Sequence, residues 1–442
     1  MLQRLTPPPT ALRTGSLCCA VFVIAAVVFP IAAGAQTPAQ PASQTRDLPV
    51  VQTPVTPLPS SGEALTLEAA FARATTANPS IAAARLRRAI DLASISVAGE
   101  RPNPEAHAEF EKETPKQSFG FGLPVELGGK RGARINAARA ALATGEAELA
   151  ATILEIRSQV RQAYFARLIA EARFTVLDEL RQFAARAADA AQARFDVGSA
   201  PRLEVLQAQL ALASAENETG SARATAEAAR INLNALLGLP LDASNPLGTQ
   251  LDAAPALVGQ AALERARAAN AELTVLDRQI AEAEAKVSLA RALRAPDVTP
   301  DVSVTHDSEP DFLWGWRVAG TLTVPLFTTH RAGVLVEQAT LTQLRAQREA
   351  VLARVTGEVT STSALAEAER ATYVRYRDQI LPQALEVERM AEDSYRLGQT
   401  GIAALLQALQ ESRQVRLQSL QTASDLQTAL SDLERAIGAP IP

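Results

Sequence analysis

The chain has 442 residues, with 43 Lys and Arg against 48 Asp and Glu for a net charge of −5, and it is 47% hydrophobic but only 4% aromatic. A mildly acidic chain without a basic block is a poor nucleic-acid binder, and three His and two Cys leave little for metal or thiol chemistry. Its hydrophobicity comes largely from Ala and Leu, with 20 Ala among residues 133–196, which points to long, closely packed helices and away from a sheet-rich domain.

At the N-terminus, Arg4 and Arg13 precede an apolar run from Leu17 to Ala33 that ends on Ala33-Gly34-Ala35. A charged n-region, an h-region and an A-x-A site predict a secretory signal peptide over 1–35. The alternative is a transmembrane anchor, against which stand Pro30 and the immediate A-x-A. Cys18 and Cys19 sit at the head of the run and do not read as lipoprotein acceptors. Cleavage removes two Arg, no acid and both cysteines, so the exported chain carries −7 and no thiol. Such a chain suits an oxidising compartment without needing a disulfide. Residues 36–61 hold six prolines among Gln, Thr, Ser and Ala and read as a linker.

The remainder repeats once. Ala70-x-x-Arg73-Ala74 with Asn78 matches Ala262-x-x-Arg265-Ala266 with Asn270 at an offset of 192, and Pro104-Glu105 matches Pro296-Asp297. Pro124 matches Pro325 at 201, and Gly198 with Leu206-Gln207-Ala208 matches Gly398 with Leu406-Gln407-Ala408 at 200. Two copies, 62–250 and 251–442, therefore share one layout, and the second gains about nine residues between its two prolines, where a longer hairpin would put them.

Each copy reads helix, hairpin, long helix, sharp turn, helix. The first has a helix over 63–99, a hairpin over 105–125, a rod over 132–197 and a return helix over 202–237. The second has a hairpin over 301–326, a rod over 331–397 and a return helix over 402–437. Both hairpins alternate. Ala106, Ala108 and Phe110 oppose His107, Glu109 and Glu111, while Trp316, Val318 and Leu322 oppose Arg317, Thr321 and Thr323. The first rod repeats apolar residues every seven positions (Ile135, Leu142, Leu149, Ile156, then Ile169, Val176, Phe183), which is coiled-coil packing. A rod of that size is about 100 Å long.

Four amphipathic strands of about nine to eleven residues can cross a bilayer when tilted. Every backbone polar group must then be paired, so the sheet has to close, and four strands are too few for a bacterial barrel, which starts at eight. The strands of several chains must therefore combine. Trp314 and Trp316 fit an interfacial aromatic belt. The alternative is a small soluble sheet capping a helical bundle.

These features resemble the outer-membrane efflux proteins of the TolC type, and within them the heavy-metal cation exporter branch. The similarity covers residues 63–438. Its most specific part is Leu123-Pro124-Val125-Glu126-Leu127-Gly128-Gly129-Lys130-Arg131 at the barrel-to-helix junction, with Val324-Pro325-Leu326-Phe327 in the second copy. The resemblance implies a mainly α fold with a small β part. Three chains would build an α-helical periplasmic tunnel and a transmembrane β-barrel of twelve strands, four from each. It also implies docking to a periplasmic membrane-fusion adaptor and an inner-membrane proton-driven transporter, with no cofactor. Val197, Gly198, Ser199, Leu397, Gly398, Gln399 and Thr400 become adaptor-contact tips, and Glu204 and Tyr395 become candidates for holding the tunnel shut. Where drug-efflux members carry an aspartate ring, this chain has Ala404 and Gln407, so an acidic ring there is not expected.

Gly128-Gly129-Lys130-Arg131 is not a phosphate loop, because Pro124 and Arg131 stand where Gly and Ser/Thr are required. No nucleophile–base pair is present, so an enzyme is not expected, and His107, Glu109 and Glu111 read as a wet lumen face in preference to a metal site. The sequence thus predicts an outer-membrane exit duct of a tripartite efflux pump for heavy-metal cations, with drugs or other organic compounds as the alternative cargo. A periplasmic coiled-coil adaptor or spacer without a barrel is the reading from another class.

Overall fold

The computed structural model describes residues 64–113, 115–248, 259–308 and 312–438. The signal peptide and linker expected over 1–61 lie outside the described residues.

The helix expected over 63–99 is two helices, α1 (Leu67–Ala77) and α2 (Pro79–Ala98). The cause is Asn78-Pro79. Proline has no N–H to give and forces its predecessor out of the helical region, and Asn78 is extended at φ −69° and ψ 126°. Its side chain then serves two helices at once. Oδ1 accepts from Ser80 N at 2.9 Å, capping α2, and Nδ2 donates to Leu236 O at 3.0 Å, the last turn of α4 (Arg202–Leu236). The second copy repeats the joint between α5 (Gly259–Ala269) and α6 (Ala271–Ala292). There Asn270 accepts from Glu272 N and Leu273 N and donates to Ala436 O at 3.0 Å, near the end of α9 (Ile402–Ile437). Each return helix is thereby pinned end to end to the helix that begins its copy. Gly438, at φ +74°, lets the chain pass Asn270, whose Cα would lie 2.8 Å from any Cβ placed there.

Beside these jointed pairs run the rods. The first, α3 (Lys130–Asp196), is one unbroken helix of 67 residues, about 100 Å long. The second is interrupted, where one helix was expected over 331–397. α7 (Arg331–Arg375) passes through a π turn at Tyr376–Ile380 into α8 (Leu381–Arg396). Pro382 explains it: its missing N–H and its ring are incompatible with regular α-helix, and the bond from Leu381 N to Tyr376 O adds the extra residue of a π bulge.

The sheet has the order β1 (Glu105–Phe110), β2 (Gln117–Gly122), β4 (Asp297–Ser308), β5 (Phe312–Thr323), all antiparallel. Leu123-Pro124 breaks β2, and the short β3 (Val125–Glu126) resumes its line on β4. The first hairpin's strands have six residues each, shorter than expected, whereas those of the second have twelve and begin before 301. The register aligns Ala106–Phe121–Val302–Val318 and Ala108–Phe119–Val304–Trp316 on one face. Between them, Glu105–Gly122–Asp301–Ala319 and His107–Gly120–Ser303–Arg317 occupy the other.

Helices follow the same order. α2 packs on α3, α3 on α6 and α6 on α7; farther along, α4 packs on α3, α3 on α9 and α9 on α8. Short α1 and α5 brace the rods from the side, α1 burying Ala70, Phe71 and Ala74 against Ile156, Val160 and Tyr164 of α3. Midway, Glu434 of α9 binds Arg157 at 3.0 Å and Arg161 at 2.8 Å, tying the two copies together while Arg157 also stacks on Phe71.

Asn78→Ala and Asn270→Ala should each remove about 1–3 kcal/mol of stability by orphaning helix-end groups. The two losses should add, because the joints share no partner. Heat-induced gel-mobility transitions of the two single variants and the double variant measure this; an unchanged midpoint would remove the joints from the account.

Candidate functional site: a barrel face, a junction and a tip

The sheet is inside out by the standard of a soluble protein. Its apolar face is bare: Trp316 is 79% exposed and Val318 63%. Its polar face is sheltered, with Ser118, Ser303 and Thr305 buried. Trp314 lies on the apolar face in the row Phe110–Gln117–His306–Trp314, toward the hairpin end, with the His306 ring tilted against it at 4.4 Å between centroids. β1 and β5 each have one strand neighbour, so the outer edges of both have no partner among the described residues. No helix of the described residues is long and apolar enough to cross a membrane.

Below the sheet, the Pro124–Arg131 segment turns the chain into the first rod. Pro124 ends the β2 ladder, and Gly128 and Gly129 adopt φ +69° and +71°, where a Cβ on Gly128 would meet Ala295 Cβ at 2.3 Å. In the second copy the position matching Gly129 is His330, held at φ +52° without the benefit of glycine. Lys130 is buried and its Nζ lies 2.6 Å from Asp297 Oδ2, while Leu127 N donates to Asp297 Oδ1 at 3.4 Å. The junction of one copy is thus anchored on the first strand of the other. Arg131 donates to Gly99 O at 2.6 Å and Arg134 to Glu100 O at 3.1 Å, covering carbonyls at the end of α2. Glu126 makes a two-pronged pair with Arg134, and that hydrogen bonding raises the guanidinium above its ordinary pKa. Pro325 closes β5 in the corresponding place, and Leu326 and Phe327 beyond it are exposed.

At the far end, both rods finish in the same turn. Ser199 N donates to Arg194 O at 2.8 Å and Gln399 N to Ser394 O at 2.9 Å, with Gly198 at φ +74° and Gly398 at +72°. Val197 and Leu397 at the tips are exposed, as are Gln399 and Thr400, and Ser199 Oγ donates to Arg194 O.

Just behind the tips the copies meet. Glu204 and Tyr395 are not surface residues: both are buried, at 8% and 3% exposure. Glu204 Oε1 accepts from Ile402 N at 3.2 Å, at the start of α9, and lies 4.0 Å from Arg194 Nη1. The Arg194 guanidinium stacks on the Tyr395 ring at 5.1 Å. Burial first, and the Glu204 carboxylate second, push the Tyr395 phenol above its ordinary pKa and keep it neutral. Glu204 Oε2, Tyr395 Oη and Arg194 Nη1 are buried without hydrogen-bond partners. Ala404 and Gln407 are outside this cluster, on the exposed side of α9, where Gln407 donates to Glu411 at 3.1 Å. The part played by Arg194 and the Ile402 amide carries no sequence signal, because only folding brings residues 194, 204, 395 and 402 together.

A rod-like helical layer crowned by an inside-out sheet defines a duct protein of the outer membrane, with its helices in the periplasm. Residues 71–239 match the family described as outer membrane efflux protein. That match spans the first copy, and together with the fold it marks the chain as an outer-membrane efflux channel, the exit duct of a tripartite pump. It is 29% identical over 397 residues to the cobalt-zinc-cadmium resistance protein CzcC of Cupriavidus metallidurans, covering 87% of this chain and 92% of that one. Among solved structures, it resembles the outer membrane protein VceC of Vibrio cholerae (TM-score 0.68, 20% identity, 84% of this chain and 96% of that one). It is similar also to CusC (TM-score 0.69, 17% identity, 89% and 99%). Among the described residues no three or more His, Cys, Asp or Glu gather as a metal site.

Lys130→Met should leave Asp297 and the Leu127 amide without their cation, costing about 1–3 kcal/mol. Adding Asp297→Leu should recover part of that loss. Gel-mobility melting of the cycle would refute the anchor if the two single changes simply added.

Proposed function

We infer that three copies of this chain close into one tube, which passively conducts heavy-metal cations from an inner-membrane proton-driven transporter to the outside. The observation that carries this reading is the bare apolar sheet face flanked by two unpaired strand edges. In lipid such edges must be paired, and β5 of one copy beside β1 of the next supplies partners all round, giving twelve strands. The helical layer has its free edges on the same two sides. α2 leaves Leu86, Ile90 and Val97 exposed and α7 leaves Leu335 and Val336 exposed, and α4 and α8 carry further stripes at Leu206, Leu210 and Met390. These are the contacts a neighbouring copy would cover. Trp314 and Trp316 then lie at the membrane interface.

The tip turns are the docking points for a periplasmic membrane-fusion adaptor, through Val197–Ser199 and Leu397–Thr400. The Arg194–Glu204–Tyr395 cluster is the latch that holds the periplasmic mouth closed, in place of acidic residues at Ala404 and Gln407. A passive duct needs no catalytic group, so the chain is not an enzyme. The metal cargo rests on the similarity to CzcC together with the Pro124–Arg131 junction; a drug or other organic cargo is the second reading.

Deleting the gene should sensitise cells to cobalt, zinc or cadmium ions and leave drug tolerance unchanged; the reverse pattern would assign an organic cargo. Recovery of the mature chain as a soluble periplasmic monomer would sink the duct itself. Gly198→Glu combined with Gly398→Glu should abolish resistance with the trimer intact, whereas Asn at both sites, which tolerates positive φ, should preserve it. Glu204→Ala should raise single-channel conductance in planar bilayers, and unchanged conductance would remove Glu204 from the latch.

A further inference from the structure

The polar face of the sheet carries a construction that simple conduction does not require. Gly120 and Gly122 make β2 a floor without side chains between β1 and β4. Across that floor lies the imidazole of His107: a Cβ on Gly120 would come within 2.3 Å of both its Cε1 and its Nε2. Its Nδ1 reaches Asp301 Oδ2 at 3.5 Å, spanning two strands. The Asp301 side chain is 18% exposed. The charged groups sharing this face are Glu105 and Glu109 of β1, Glu111 and Lys116 in the row just beyond them, Asp297 of β4, which is taken up by Lys130, and Arg317 of β5; Ser118, Thr299, Ser303, Thr305, Thr321 and Thr323 add hydroxyls. The second copy has no such floor, since Thr321 and Thr323 stand at the positions matching Gly120 and Gly122. The other two histidines are elsewhere, His306 against Trp314 in an apolar-face row and His330 at the start of α7. His107 is therefore the one imidazole on the face that would line the pore.

We propose that the His107–Asp301 pair on its glycine floor is a proton-controlled determinant of ion selectivity in the barrel. The proposal rests on the duct reading, in which this face lines the lumen. With His107 neutral, Glu105, Glu109, Glu111 and Asp301 outweigh Lys116 and Arg317, and each copy presents a negative girdle that concentrates cations. With His107 protonated, Asp301 is neutralised in place and the girdle weakens. Histidine is the side chain whose charge changes between about pH 5 and 8, so the barrel's preference for cations falls as the outside acidifies. Asp301 supplies the charge and His107 sets how much of it the lumen sees.

The test is reversal potential in planar bilayers under a potassium chloride gradient, with the purified trimer and with pH lowered on the barrel side alone. From about pH 8 to about pH 5 the wild-type potassium-to-chloride permeability ratio should fall about twofold, the size expected for altering one charge per copy in a water-filled pore. His107→Gln should hold the ratio constant across that range, and Asp301→Asn should start low at high pH and still respond. His107→Asn is the second variant should the Gln form not assemble. A wild-type ratio that ignores pH, or a step that survives loss of His107, overturns the proposal while leaving the duct in place. Absence of any channel from the wild-type protein overturns the duct reading instead.

Discussion

The constraint on which the rest depends is the fate of backbone hydrogen bonds at the two edges of the sheet. Four strands with Phe119, Val302, Trp316 and Val318 facing outward can sit in lipid only if β1 and β5 find partners. Within one chain they cannot, because the sheet is too small to curl onto itself. Closure across copies answers this. Once the sheet is part of a ring, the helices leaving it must stand side by side in the same ring. The helical order α2–α3–α6–α7 repeats the strand order β1–β2–β4–β5 because each helix enters or leaves its neighbouring strand through a short turn.

A ring wall one layer thick has no deep core to hold it, so the links between copies of the repeat fall at discrete heights. Lys130 with Asp297 ties them beneath the barrel, Arg157 and Arg161 with Glu434 at the middle, and Glu204 with Ile402 behind the tips. Each is a charged or capping interaction between sheltered groups, where losing one partner costs more than an exposed ion pair contributes. The Asn78 and Asn270 joints solve the remaining difficulty, two helix ends abutting within the wall, by giving one amide side chain to both ends.

The two copies differ at particular places. The first keeps an unbroken rod, a glycine-floored hairpin and Gly128-Gly129 at its junction. The second has longer strands, His330 in a strained backbone position and a rod interrupted by the π turn ahead of Pro382. The same proline is visible in the sequence, yet the layout of the first copy, whose rod has no proline, extends over it as one helix, and a π turn keeps the chain helical on both sides. Asn78-Pro79 likewise lies inside a stretch helical on both sides, and only the extended Asn78 separates α1 from α2.

The sequence by itself determined the duplication, the alternating faces of the hairpins, the first rod and the turns at Gly198 and Gly398. Each of these is set by local spacing, where period two, period seven and a glycine at positive φ leave direct marks. The junction motif was legible as residues and the tips as turns. Only the tertiary structure decided that Glu204 and Tyr395 are buried together, that Lys130 answers to Asp297, and that His107 reaches Asp301 across Gly120. Those pairings join residues from different copies of the repeat or from different strands. No periodicity records them, because register and the meeting of distant helix ends are fixed by packing of the whole wall.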